Sequence, residues 1–160
     1  MKHFTFAGLS ILVLTCMASS FLWTNDAQPT LAHCQVPCGI FDDPARVAEL
    51  REDAGTIAKA MDQISLLSGQ HDAQSANQAA RWIVTKEHHA SHIIEVVSEY
   101  FLAQRVKPVA RGDDGMRPYA RSLMDHHAVI VAAMKAKQNT DKSFADALAQ
   151  AIEAMGEHYK

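Results

Sequence analysis

Two cysteines stand four residues apart, Cys34 and Cys38, with His33 directly before the first and Pro37 and Gly39 flanking the second. Thiolate sulfur and imidazole nitrogen are ligands for transition metals. A cut after Ala32 would add a further donor, the free amine of His33. The next backbone amide, that of Cys34, when deprotonated lies in one chelate plane with that amine and the Cys34 thiolate. Cys38 closes a fourth corner if the chain turns back on itself, and proline and glycine are the residues that make such turns. A planar nitrogen and sulfur set suits Ni(II) or Cu(II), whereas zinc prefers a tetrahedral site. The plain alternative in an oxidising compartment is a Cys34–Cys38 disulfide. Such a bridge would need neither the histidine nor the proline nor the glycine.

The segment before these residues bears on whether the amine is free. Met1-Lys2-His3 is a short, weakly positive start, Phe4 to Trp23 carries no charge, and the polar stretch Thr24 to Pro29 follows. Thr30-Leu31-Ala32 puts small residues at the two positions a signal peptidase reads. Residues 1–32 are therefore expected to be a cleaved leader, and the mature chain to be exported to the periplasm or outside the cell. The rival is an uncleaved membrane anchor over residues 4–23, since about 20 apolar residues can span a bilayer. Cys16 leaves with the leader, so the mature protein keeps only Cys34 and Cys38.

A second group of potential ligands is Lys86-Glu87-His88-His89-Ala90-Ser91-His92. His88 and His92, four apart, share a helix face as helical metal ligands do. His126 and His127 could face them across a bundle. The Glu-x-x-His pairs of a di-iron carboxylate site are missing, and a buried, hydrogen-bonded histidine is the simpler reading of His127.

These residues need elements to position them. Asp42-Asp43-Pro44 reads as a helix start, with a carboxylate N-cap and proline in the first turn. Val47, Leu50, Ala54, Ile57, Met61 and Ile64 then recur at spacings of three and four, one helical face kept up to Gly69. Asp72 opens a second helix with Ala76, Ala79, Ile83, Ala90, Ile93, Val97 and Tyr100 in phase. Lys86 falls on that seam, where an unpaired charge is costly and an ion pair with Glu49 or another carboxylate is expected. Arg105 to Pro118 is a loop, rich in proline and glycine. A third helix has Ala120, Leu123, His127, Ile130 and Met134 in phase, and a fourth has Phe144, Leu148, Ala151 and Met155. The predicted fold is all-α, an up-down four-helix bundle over residues 42–160 with an N-terminal metal-binding hook at residues 33–41. Abundant alanine and only 7% aromatic residues agree with closely packed helices, and a net charge of −3 leaves no basic footprint for nucleic acid.

His33-Cys34-Gln35-Val36-Pro37-Cys38-Gly39-Ile40-Phe41 resembles the nickel hook of nickel-dependent superoxide dismutases, whose pattern is His-Cys-x-x-Pro-Cys-Gly-x-Tyr at the mature N-terminus. The resemblance implies a four-helix bundle, a homohexamer, a leader-processing protease, and one Ni(II)/Ni(III) centre per subunit that disproportionates superoxide to O₂ and hydrogen peroxide. It implies His33 (amine and imidazole), Cys34 (amide and thiolate) and Cys38 (thiolate) as the nickel ligands and catalytic residues. It also implies Glu49 as the carboxylate that orients the His33 imidazole, and Tyr100 as a phenol beside the centre. Phe41 stands where the family has tyrosine, Gln35 where aspartate is often found, and Leu102 where lysine follows Tyr-Phe, with Lys107 as a stand-in. Lys86 and Arg81 are the candidate cations for Glu49. A non-enzymatic exported bundle carrying nickel or copper is the alternative function, and a helical module with a structural disulfide is a third.

Overall fold

A computed structural model of the protein describes residues 41–160. They form four helices: α1 (Asp43–Ser68), α2 (Ala73–Glu95), α3 (Met116–Gln138) and α4 (Ser143–Gly156). Helix α2 continues directly into a π-helical stretch, Val96–Arg105, and α4 into a short 3-10 turn, Glu157–Tyr159. The proposed leader (1–32), the alternative anchor (4–23) and hook residues 33–40 lie outside the described residues. None of the described helices is long and apolar enough to cross a membrane.

The predicted start of α1 is present: the Asp42 carboxylate accepts the Ala45 backbone N–H at 3.1 Å, with Pro44 in the first turn. Asp72 caps α2 in the same way through the Ser75 N–H at 2.9 Å. Such caps satisfy backbone donors that the first turn leaves unpaired.

Side-chain pairs across neighbouring helices fix an up-down-up-down bundle. Asp43 meets Tyr100 and Asp53 meets His89 and His92, so α1 and α2 are antiparallel. Lys86 reaches the carbonyls at the end of α3, and His126 meets Tyr159, so the next two pairs run the same way. Arg51 with Glu153 and Lys142 with Asp62 close α4 onto α1. Gly156 allows that closure, since a Cβ there would lie 3.1 Å from Val47 Cγ1. The core holds every predicted α1 seam residue, together with Ala90, Ile93, Val97, Phe101, Val129, Ala133, Leu148, Ile152 and Met155.

Two seams differ from expectation. Ile83 is 45% exposed and Ala76 is exposed as well. Lys86 donates hydrogen bonds to the carbonyls of Ala136 and Lys137, so α3 ends level with it. The earlier turns of α2, with the end of α1, therefore project beyond α3 and nothing described covers Ile83, Val84 or Leu66. The α3 seam is also rotated by one position. His126, Val129, Ala133 and Ala136 are buried, while Ala120, His127 and Met134 are exposed. Small Ala133 and Ala136 let the helices approach, which outweighs the larger residues one position along.

Candidate metal centre

Phe41 is the last residue of the predicted hook, and beside it run one face of α1 and the end of α2. Asp43, Arg46, Glu49 and Asp53 follow one another on α1 at spacings that keep them on one side. Opposite stand His89, His92, Tyr100 and Arg105.

The π-helical stretch brings two of these together. Residues five apart sit about 140° apart around an α-helix, too far to grip one partner. The i→i+5 hydrogen bonding of a π-helix, such as Val106 N–H to Phe101 O at 2.9 Å, widens the turn. Tyr100 and Arg105 consequently converge on Asp43. The Tyr100 hydroxyl donates to Asp43 Oδ1 at 2.7 Å, Arg105 Nε donates to the same oxygen at 2.8 Å, and Arg105 Nη2 donates to Oδ2 at 2.7 Å. The Arg105 guanidinium holds the Asp43 carboxyl below its usual range. Burial, and then the hydrogen bond to Asp43, push the Tyr100 phenol up to about 12. At neutral pH Tyr100 is thus protonated, and its proton is engaged with Asp43.

Phe41 packs on this arrangement. Its ring lies 5.8 Å from that of Tyr100, edge to face at 71°, and 4.4 Å from the Arg105 guanidinium carbon. Arg46 links the two predicted outer residues: its guanidinium sits 5.5 Å from the Tyr100 ring centre and donates to Glu49 Oε2 at 2.7 Å. The cation beside Glu49 is therefore Arg46. Arg81 lies exposed on the projecting part of α2, and Lys86 is held by the end of α3 with Glu87 as its carboxylate partner at 3.1 Å. Lys107, the suggested stand-in for the missing lysine, donates to the Gln104 carbonyl at 2.7 Å.

Further along the α1–α2 contact, His92 Nε2 lies 3.6 Å from Glu49 Oε1. Its Nδ1–H is directed at Asp53 Oδ2, 2.7 Å away, and the His89 Nδ1–H at Asp53 Oδ1, 2.5 Å away. Asp53 is 6% exposed, and each of its two oxygens is satisfied by one of these imidazoles. Sequence reasoning gave no role to Asp53, Arg46 or Arg105, and read Asp43 only as part of a helix start. A signal for Asp53 existed: it falls four residues after Glu49, next to the apolar seam, where a carboxylate demands a partner.

The four histidines named from sequence do not converge. His88 and His127 are exposed, and His92 is committed to the α1 carboxylates. His126 is fully buried between the Ser122 carbonyl, which accepts its Nδ1–H at 2.7 Å, and the Tyr159 hydroxyl, which donates to its Nε2 at 2.6 Å. Among the described residues no group of three or more His, Cys, Asp or Glu side chains could hold a metal ion. His33, Cys34 and Cys38 lie outside the described residues.

His126 has a consequence for stability. Burial lowers its pKa from the ordinary 6.5. The unfolded chain takes up that proton near pH 6.5 while the folded chain refuses it, so acid favours unfolding. The stability carried by neutral His126 is fully present above pH 6.5 and is lost progressively as pH falls below that value towards the lower pKa of the folded state. Denaturant titrations should show stability decreasing below pH 6.5 with a slope of up to about 1.4 kcal/mol per pH unit from this group. His126→Gln should be less stable at pH 7 yet show a shallower acid slope; an unchanged slope would assign it elsewhere.

The sequence model of the nickel-containing superoxide dismutase family matches residues 28–160, which takes in both the hook sequence and the bundle. Neither the curated proteins nor the solved structures contain a match.

Proposed function

This chain belongs to the nickel-containing superoxide dismutase family, and we propose that it disproportionates superoxide at a nickel ion held by the N-terminus of the mature chain. The observation that carries this reading is the family match running from residue 28 through the hook to Lys160. The donor set fits the metal: two thiols, an imidazole, an amine and an amide within residues 33–38 favour a square-planar, thiophilic ion. His33 would bind through amine and imidazole, Cys34 through amide and thiolate, and Cys38 through thiolate. When bound by such donors, one nickel per subunit supplies a one-electron couple between Ni(II) and Ni(III). The net reaction takes two superoxide anions and two protons to O₂ and H₂O₂.

The chain's own residues do the remaining work. Export and removal of residues 1–32 would free the His33 amine. Glu49, held by Arg46, would orient the His33 imidazole. Tyr100 acts as a fixed phenol whose proton is directed at Asp43, so water carries the protons taken up by peroxide. Homohexamer assembly belongs to the same reading.

Phe41 offers a direct probe. Phe41→Tyr adds a hydroxyl at the place the family pattern gives to tyrosine. One added neutral hydrogen bond should tighten binding of a small anionic inhibitor such as azide by about two- to tenfold. It should also change the pH–rate profile of superoxide turnover. Unchanged inhibition and an unchanged profile would show that position 41 does not face the anion.

The experiment that tests the function is N-terminal sequencing of the protein as exported, followed by nickel loading and measurement of superoxide decay. A mature chain starting at His33, one nickel per chain and catalysed decay are expected. A nickel-loaded chain without turnover would indicate a metal-carrying bundle instead.

A further inference from the structure

We propose that Arg105 is a positioning residue for the metal-binding arm, clasping Phe41 against Tyr100 and so fixing where the arm leaves the bundle. The inference rests on the reading that residues 33–41 form a nickel hook.

Three observations carry it. First, Phe41 is the final residue of the hook sequence, and it is held from two sides, by the guanidinium 4.4 Å from its ring centre and by the edge-on Tyr100 ring. A guanidinium over an aromatic face is attractive, and Arg does this better than Lys because its planar group stacks while keeping its donors free. Second, the guanidinium cannot drift. Its Nε and Nη2 donate to both oxygens of Asp43, a two-pronged contact that fixes its plane as well as its position. Asp43 is the first residue of α1, so one group ties the arm, the start of α1 and the end of α2 together. Third, the π-helical stretch exists where this grip needs it, ending on Arg105. In a continuous α-helix Arg105 would point away from the residue that Tyr100 grips.

The clasp also gives Phe41 a reason. The nearby polar groups, Tyr100 and Arg105, are both spent on Asp43, which leaves the position an aromatic face to fill and no donor or acceptor to satisfy. The cation that the family pattern carries two residues after the tyrosine is absent here, where Leu102 stands. Arg105, five residues after the tyrosine, occupies the neighbourhood instead.

The test uses the full mature chain in three forms: wild type, Arg105→Gln, and Phe41→Leu. The last removes the ring while leaving the Arg105–Asp43 pair and the folded bundle in place. Without metal, thermolysin cleavage in the segment before Asp42 is followed by mass spectrometry. Loss of an exposed cation–π contact should accelerate cleavage about two- to fivefold in both variants. With metal, nickel affinity is measured by competition with a chelator. Both variants should bind nickel about tenfold more weakly, the loss typical of removing an outer-shell partner. Arg105→Lys should restore only part of either property. Faster cleavage with unchanged nickel affinity would overturn the positioning role. Unchanged cleavage would overturn the clasp itself. Failure of wild type to bind nickel would overturn the function proposed above, while the metal-free cleavage rates would still decide whether the clasp exists.

Discussion

Mature protein carrying Cys34→Ser or Cys38→Ser is expected to lose superoxide turnover by more than about 100-fold, since even partners one shell out from a metal typically cost 10–100-fold when removed. Serine preserves size but replaces a soft thiolate by a hydroxyl that remains protonated at neutral pH and is a poor nickel ligand. A single alanine placed ahead of His33 should be equally damaging although it alters no side chain. It turns the terminal amine into an amide, moves the free amine one residue away, and breaks the chelate plane shared with the Cys34 amide. The three variants together separate the competing readings. A structural disulfide would be lost in both serine variants but indifferent to the added alanine, and wild type would show no free thiols. A non-enzymatic carrier would bind nickel in wild type and never consume superoxide. Stopped-flow superoxide decay, thiol titration and nickel content per chain distinguish all of these. Full activity in the alanine-extended form would remove the amine from the ligand set.

How much of this was legible before the fold was in view depends on the range of the interaction. Asp42 and Asp72 were readable as caps because a cap is a contact over three residues. The α1 seam was readable because Val47 to Ile64 keep one phase and a single face of that helix is apolar. Helix α3 has apolar residues in two adjacent stripes, His127-Ile130-Met134 and His126-Val129-Ala133, and only the neighbouring helices decide between them. Local periodicity cannot make that choice. The same limit applied to the contacts between α1 and the end of α2. Glu49 and Tyr100 came from a resemblance, residue by residue. Asp43, which grips Tyr100, and Arg105, which grips Asp43, were invisible as partners because those contacts span 57 and 62 residues. The Arg46–Glu49 pair spans only three and lay within reach of a local reading. The π-helical stretch was missed for a different reason: its sequence reads like any helix end, and what favours its wider turn, the grip of Tyr100 and Arg105 on Asp43 and the packing of Phe101, is formed with distant residues. Lys86 shows the limit in reverse. Its burial was foreseen from phase, but its chief partners are backbone carbonyls, which no side-chain pattern announces.

Phe101→Ala is expected to cost about 3–5 kcal/mol, the usual range for removing a fully buried phenylalanine. Phe101 is completely inaccessible and forms the centre of an aromatic group: its ring centre lies 4.5 Å from Tyr159, 4.9 Å from Tyr100 and 5.7 Å from His126. These contacts join the end of α2 to α3 and to the C-terminal turn. For a domain of this size the melting temperature should fall by about 10–20 °C. The adjacent Tyr100→Phe makes the control. It keeps the ring and loses one hydrogen bond to a carboxylate, about 1.5–3 kcal/mol at most for so partly exposed a pair. The two neighbours should therefore separate. Phe101→Ala should melt early and, below its transition, keep the acid-dependent signature of buried His126 only weakly, because the cavity admits water to the imidazole. Tyr100→Phe should melt between wild type and Phe101→Ala, and should loosen Asp43 and, with it, the Arg105 grip. Calorimetry of the metal-free mature chain reads this without reference to activity. A Phe101→Ala transition within about 3 °C of wild type would mean that the π-helical stretch is held by the Asp43 contacts alone, and that the aromatic group merely fills the space behind it.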